Sequence, residues 1–495
     1  MIPYYYYWFL VAVALFYSEV SAKHQFDEYY CYTSGVLQYI FKSVPCRFFA
    51  VVFDAGSTGT RLHLYRYVHN ADVNGIPFKV EEEIFREVSP GLSSFSHDPA
   101  GAAASVRVLI EHAHKNVPQF MWERTPITLK ATAGLRLLPG DMADDILDAV
   151  RFYSSSIFSI YLAELFKVES EINKSGFFVV PDAVSIMSGS DEGMYSWFTL
   201  NLLLNTLYSD DASHPHRPEA SRSVAAFDLG GGSTQLTFWP EDRHMFDLHP
   251  EYERDIEFFG NRMRLFTHSF LGNGLLAARL NMLSQSSDGE HGLQSAIDSP
   301  CMPEGFELKN WEYALKKWTI RGTASHSYAA CYEYARNFIR RSDIMKLPAL
   351  RGKTVYLFSY FFDRGLNAGL VNGSSGGLVE LKQYKEAAEQ ACSRSRNELE
   401  GAHWKPWQCH DLTYIYTLLH DGYGFADSQP LFLAKKLKGM EMAWGQGLSY
   451  ALVHEFHKAQ KHGFAERLNA TVVEQLMSYI YTGTNNVLSY FNIIS

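Results

Sequence analysis

A chain of 495 residues exceeds what one hydrophobic core normally organises, so two lobes are the default expectation. With 47% hydrophobic and 20% charged residues, the composition is globular and excludes a largely disordered chain. A formal charge of -10 argues against wrapping nucleic acid, which needs a surplus of Lys and Arg; a small phosphorylated ligand held by backbone amides and a cation stays possible.

The first segment reads as a targeting signal: an apolar run from Trp8 to Tyr17 ends in Val20-Ser21-Ala22, small residues spaced for a signal peptidase. Cleavage after Ala22 is expected. The alternative is an uncleaved anchor with Tyr4 to Tyr7 at the interface, although the apolar core is short for a bilayer span. Membrane association is expected only in that case, since Asn485 to Ser495 is too poor in apolar residues to cross.

From Phe48 to Phe53 a continuous apolar run predicts a buried strand. Asp54-Ala55-Gly56-Ser57-Thr58-Gly59 then predicts a Gly-rich turn, and Arg61 to Tyr67 a returning strand. A helix is expected around Ala102 to Lys115, a strand at Ile127 to Ala131, a helix about Met142 to Tyr153 and a strand at Phe177 to Val180. Strands alternating with helices predict an α/β architecture. Gly193 to Leu207 has helical spacing, and Ser209 to Ser223 reads as an exposed loop. His214 and His216 in that loop, with His244 and His249 beyond it, read as solvated histidines rather than metal ligands.

The opening hairpin then recurs. Val224 to Phe227 predicts a strand, Asp228-Leu229-Gly230-Gly231-Gly232-Ser233-Thr234 a Gly-rich turn, and Gln235 to Trp239 the outgoing strand. An internal duplication accounts for the repeat. Tight loops of this kind aim several N–H groups at one point, and glycines permit close approach to phosphate oxygens. Ser57, Thr58 and Gly59 in the first loop, and Gly230, Gly231, Gly232 and Ser233 in the second, are therefore candidate phosphate ligands. Asp54 and Asp228 are candidate ligands, through water, for a hard cation, Ca²⁺ or Mg²⁺.

The six cysteines suit an oxidising compartment. Cys301 with Cys331 and Cys392 with Cys409 are expected disulfides, while Cys31 and Cys46 form a third candidate pair whose connectivity sequence does not fix. Glycosylation acceptors stand at Asn173, Asn372 and Asn469.

Five ordered segments carry a family resemblance. Asp54 to Arg61 resembles the first signature of the apyrase, or ecto-nucleoside triphosphate diphosphohydrolase, family. Ala131 to Arg136 resembles the second, Gly189 to Gly193 with Trp197 the third, Asp228 to Gln235 the fourth, and Phe358 to Arg364 the fifth; weaker similarity follows at Asp421 to Phe425 and Trp444. The resemblance implies two actin-like (ribonuclease H-like) lobes with the active site in the interlobe cleft. On this reading residues 47–188 plus 452–495 form the N-terminal lobe and 189–451 the C-terminal lobe.

Roles follow from the resemblance in the same way. Glu192 matches the family's general base, Ser233 and Gln235 match residues orienting the attacking water, and Thr132 would add a hydroxyl near the terminal phosphate. For Arg136 a structural ion pair and a phosphate contact both remain open. Tyr360, Phe361 and Tyr423 are candidates to stack on a nucleobase.

The implied activity is metal-dependent hydrolysis of the terminal phosphate of nucleoside di- or triphosphates. The four downstream cysteines and short N-terminal apolar segment look more like the soluble diphosphatases of the ER and Golgi, which favour UDP and GDP. A secreted apyrase acting on extracellular ATP or ADP, a sugar kinase on the same fold and a non-catalytic nucleotide-binding protein are the rival readings. Oligomeric state is left open.

Overall fold

The computed structural model describes residues 47–69, 78–95, 98–137, 171–208, 218–242, 244–258, 260–283, 296–313 and 316–457. The expected signal, Cys31, Cys46, the helix at 142–153, His214, His216 and Asn469 lie outside these residues, as does most of 452–495. Residues Arg47–Ser449 form one unit, which contains all the elements described below.

Its first sheet has five strands: β1 (Arg47–Ala55), β2 (Thr60–His69), β3 (Phe78–Val88), β4 (Pro126–Ala131) and β5 (Phe178–Ile186), in the order β3-β2-β1-β4-β5. β1 pairs antiparallel with β2 and parallel with β4, so both its edges are occupied. A central strand of this kind is buried on both faces, which is why RFFAVVFDA reads as a run rather than an alternation.

A larger sheet repeats the plan. After β6 (Ala225–Leu229) and β7 (Ser233–Phe238) come β8 (Glu253–Phe258) and β9 (Asn261–Leu271). A separate three-stranded sheet, β10 (Ala296–Pro303), β11 (Glu307–Tyr313) and β12 (Lys316–Thr323), is inserted before β13 (Val355–Ser359), β14 (Gly377–Glu380) and β15 (Pro430–Leu433). The seven-stranded order is β14-β15-β13-β6-β7-β9-β8. Within it β6 pairs antiparallel with β7, β7 antiparallel with β9, β6 parallel with β13, and β13 parallel with β15. That series, β9-β7-β6-β13-β15, has the same order and directions as β3-β2-β1-β4-β5. The two α/β lobes therefore share one ribonuclease H-like plan, as the repeated hairpin predicts.

Helix Gly189–Leu203 opens where Ser188 Oγ accepts from the Asp191 N–H at 3.1 Å. It is apolar nearly all round and buried, and it packs on β6, β7 and β9. It starts earlier than the sequence periodicity suggests, which puts Glu192 inside its first turn. Both predicted disulfides, Cys301–Cys331 and Cys392–Cys409, are formed. The hairpin β16 (Lys436–Leu437) and β17 (Met440–Glu441) brings the chain back beside β3.

Candidate active site

The two Gly-rich loops are built alike. In the first, the Gly56 N–H donates to the Gly59 carbonyl at 3.0 Å; in the second, the Gly230 N–H donates to the Ser233 carbonyl at 3.0 Å. Asp54 faces Arg61 across its hairpin, and Asp228 faces Gln235 at the matching place in the other. Both aspartates are the penultimate residues of strands rather than members of the turns, so pairing on both strand edges fixes their backbones.

Each loop rests on a glycine that follows the matching strand of its lobe, β3 in the first and β9 in the second. A Cβ on Gly91 would lie 2.2 Å from the Gly56 carbonyl oxygen, and one on Gly274 2.3 Å from the Ser233 nitrogen. Only a residue without a side chain fits either place. The loops also approach one another: a Cβ on Gly231 would sit 2.5 Å from Ser57 Oγ. Thr132 ends the neighbouring strand, its N–H donating to the Ala55 carbonyl at 3.2 Å, and Gly134 packs on Ser57.

Three carboxylates belong to this region, and each raises or feels the charge of the others. Burial first, then the nearby charges of Asp228 and Asp54 against that of Arg136, pushes Glu192 up to about 8. Burial also pushes Asp228 up to about 6, with the Ser359 hydroxyl opposing the shift and the Asp54 charge adding to it. Asp54 is raised by burial against the pull of Arg61, whose Nη1 donates to Asp54 Oδ2 at 3.3 Å. Asp54 Oδ1 is buried and has no hydrogen-bond partner among the described residues. Two buried carboxylates with an unsatisfied oxygen form an oxygen-only donor set, which fits a hard divalent cation.

Around Glu192 a polar network has formed. Arg136 Nη2 donates to Glu192 Oε2, so the ion-pair reading of this arginine is the observed one. Gln235 Nε2 lies 2.6 Å from Ser233 Oγ, 2.9 Å from Ser269 Oγ and 3.1 Å from Glu192 Oε2. With two protons it serves two of these acceptors at once, which leaves the network adjustable. The close approach depends on Gly193, where a Cβ would stand 2.7 Å from Thr237 Oγ1.

Sequence reasoning missed three participants. Arg61 ties Asp54 to Glu87, the latter at 3.1 Å; hairpin register alone could have found it, because it faces Asp54. Ser269 stands opposite Gln235 on β9, a pairing that needs the long connection through β8 to be known. Ser359 touches Asp228 from a left-handed backbone (φ 56°) at the end of β13, strained for a residue with a side chain. No local sequence signal marks that conformation.

The nucleobase candidates divide. Tyr360 is half-buried with the Arg364 guanidinium over its ring at 5.4 Å. Phe361 is 0% exposed and Tyr423 2% exposed, the latter packed edge-on against Phe227 with ring centres 5.1 Å apart. Both are core side chains of the second lobe, which corrects their assignment to base stacking: the amphipathic turn after β13 points Phe361 inward while Tyr360 stays at the rim. Of the loop histidines, His244 and His249 sit beside Asp247 and Glu251, and neither joins a metal-binding group among the described residues. No helix among the described residues is long and apolar enough to cross a membrane.

Comparison with known proteins agrees with this geometry. The model of the GDA1/CD39 (nucleoside phosphatase) family matches residues 45–465. The Caenorhabditis elegans protein named nucleoside-diphosphatase uda-1 is 56% identical over 494 residues, covering 98% of this chain and 99% of that one. Human nucleoside diphosphate phosphatase ENTPD5 is 36% identical over 412 residues, covering 82% and 87%. Among solved structures, nucleoside triphosphate hydrolases from Neospora caninum share the fold, with a TM-score of 0.54 at 14% identity over 84% of this chain and 93% of that one.

Proposed function

We propose, from the premise that this chain belongs to the GDA1/CD39 (nucleoside phosphatase) family, that its Glu192 activates water to cleave the terminal phosphate of nucleoside diphosphates. The chain is an enzyme, a hydrolase of nucleoside phosphates. The observation that carries the mechanism is the gathering of Asp54, Asp228 and Glu192 around two loops, each closed by the same kind of hydrogen bond.

Glu192 takes the proton from a water held by Ser233 and Gln235, and the oxygen attacks phosphorus in line with the bond that breaks. The leaving group departs as the shortened nucleotide, so no phosphorylated residue is needed. Arg136 opposes the burial that would keep Glu192 protonated and so favours its ionised, proton-accepting form. Amides of Gly59 and Gly230 to Gly232, with the hydroxyls of Ser57, Thr58, Thr132 and Ser233, receive the charge on the phosphoryl oxygens. Asp54 and Asp228 would hold Ca²⁺ or Mg²⁺, which neutralises those oxygens when bound. Tyr360 is the residue left to stack on the base. A lobe boundary near residue 189 belongs to the same reading.

The diphosphate preference is supported by the names of the two relatives above, a nucleoside-diphosphatase and a nucleoside diphosphate phosphatase, and UDP and GDP are the diphosphates expected. Two formed disulfides support a compartment of the secretory route, lumenal or secreted. Phosphate release from UDP, GDP, ADP and the matching triphosphates, with Ca²⁺ or Mg²⁺ supplied, tests the proposal. Faster turnover of the diphosphates is expected, with the Glu192→Ala variant near background; equal rates for native and variant protein would remove Glu192 from the mechanism.

A further inference from the structure

One buried cluster is left unused by this reaction. His63 on β2, Glu83 on the facing β3 and Glu441 on β17 bring one imidazole nitrogen and two carboxylate oxygens to within 4.8 Å of one another. His63 Nδ1 lies 2.8 Å from Glu83 Oε1, and these side chains are 1% and 3% exposed. The Glu441 backbone N–H donates to Glu83 Oε2 at 2.7 Å. Beside them the Tyr65 hydroxyl is fully buried and close enough to feel the Glu83 charge, yet makes no well-formed hydrogen bond among the described residues. Gly445 packs directly against them: a Cβ there would lie 3.1 Å from that hydroxyl and 3.5 Å from the His63 ring.

The charge balance points the same way. His63 faces Glu83, Glu441 and Asp54, and although burial works to lower its proton affinity, the Glu83 hydrogen bond and these three charges outweigh it. Arg61, whose charge also reaches Glu441, is ion-paired to Asp54 and Glu87. Two carboxylates facing one imidazole therefore leave negative charge inside the protein, and burying it is costly without a compensating cation.

We propose that His63, Glu83 and Glu441 form a second cation site, for a divalent transition ion of the zinc type, with the Tyr65 hydroxyl lining its open side. The donor set of one nitrogen and two oxygens is what such an ion takes with three protein ligands, whereas the all-oxygen pair Asp54 and Asp228 suits Ca²⁺ or Mg²⁺. A tetrahedral ion holds its ligand atoms about 3 to 4 Å apart, so binding would widen the 2.8 Å contact between His63 and Glu83 and draw in the half-buried Glu441. Binding replaces the proton between His63 and Glu83 and releases it to solvent.

The ion would act as a clasp. Glu441 belongs to the segment that returns from the second lobe, and the same stretch is held by the Gly447 N–H donating to Thr199 Oγ1 at 2.8 Å and by a Tyr67–Ser449 hydroxyl pair. Fixing Glu441 to β2 and β3 ties that return to the strands carrying Arg61 and Glu87.

Cobalt(II) is a visible probe for such a site. Titrated into the metal-free full chain with excess Mg²⁺ present to occupy the oxygen-only pair, it should give one equivalent of visible absorption typical of a nitrogen-containing site. The apparent affinity should fall at least about tenfold in His63→Gln and Glu441→Gln and stay unchanged in His244→Gln, an exposed-histidine control. Zinc should raise the melting temperature of the native chain and not that of Glu441→Gln. If His63→Gln does not fold, Glu441→Gln decides the matter, since its side chain is only half-buried. Absence of the bands in the native chain, unchanged affinity in the folded variants, or equal loss in His244→Gln would overturn the site.

Discussion

The two Gly-rich loops have the same length, the same kind of closing hydrogen bond and the same glycine floor, but their hairpins present different partners to the aspartates. Opposite Asp54 stands a cation, Arg61; opposite Asp228 stands a neutral amide, Gln235. Under the proposed mechanism the first lobe compensates charge while the second arranges the water and its base, with Gln235 linking Ser233 and Ser269 to Glu192. A duplicated scaffold has kept its geometry and divided its chemistry.

This division can be broken or sharpened by substitution. The largest effect is expected from Glu192→Gln, which keeps the shape and removes the base: turnover at saturating nucleotide should fall by about 10² to 10⁴. A fall of less than tenfold in a phosphate-release assay would transfer the base role elsewhere. Next comes Gln235→Ala, expected to cost roughly 10² in kcat with little change in KM, because it withdraws a donor aimed at the reacting water.

Smaller effects separate the lobes further. Tyr360→Ala should raise KM about 3- to 10-fold, the scale of one aromatic stacking contact, and leave the melting temperature in place. Arg61→Gln should act on the cation rather than on the chemical step. With its positive charge gone from beside Asp54, the half-saturating Ca²⁺ or Mg²⁺ concentration should fall on the order of fivefold while kcat holds, the scale of a part-exposed ion pair. If Arg61→Gln and Gln235→Ala instead change the same parameter, the hairpins are not specialised.

The smallest effect is a pH dependence of stability in the metal-free chain. Glu192 at about 8 and Asp228 at about 6 bind protons more tightly folded than unfolded, so the native state carries more protons between the ordinary carboxylate range and pH 8. Stability then falls as pH rises through that window. The melting temperature should be lower at pH 8 than at pH 5.5, and the difference should shrink in Glu192→Gln.

Much of this was legible before any coordinates. The paired hairpins showed because an apolar run, an aspartate and a glycine turn are local signals, and their recurrence at Asp228 implied a duplicated lobe. Glu192 could be named only through a family resemblance, since an acidic pair at a helix start is common. Ser269 and Ser359 were hidden for a different reason: each contact depends on strand register or backbone strain set by residues far along the chain, whereas Arg61 follows from the register of its own hairpin and was overlooked. Phe361 and Tyr423 were misread because an aromatic side chain looks the same in sequence whether it lines a cleft or fills a core. The three-stranded insertion β10 to β12 went unread, although ELKNWEY alternates as an exposed strand should.

Gly91 and Gly274 give the molecule a fixed gauge. Because each Gly-rich loop is seated directly on main chain, its seat is set by backbone thickness and not by any side chain that substitution could lengthen or trim. Neighbouring positions are therefore free to drift while the two loops hold their places.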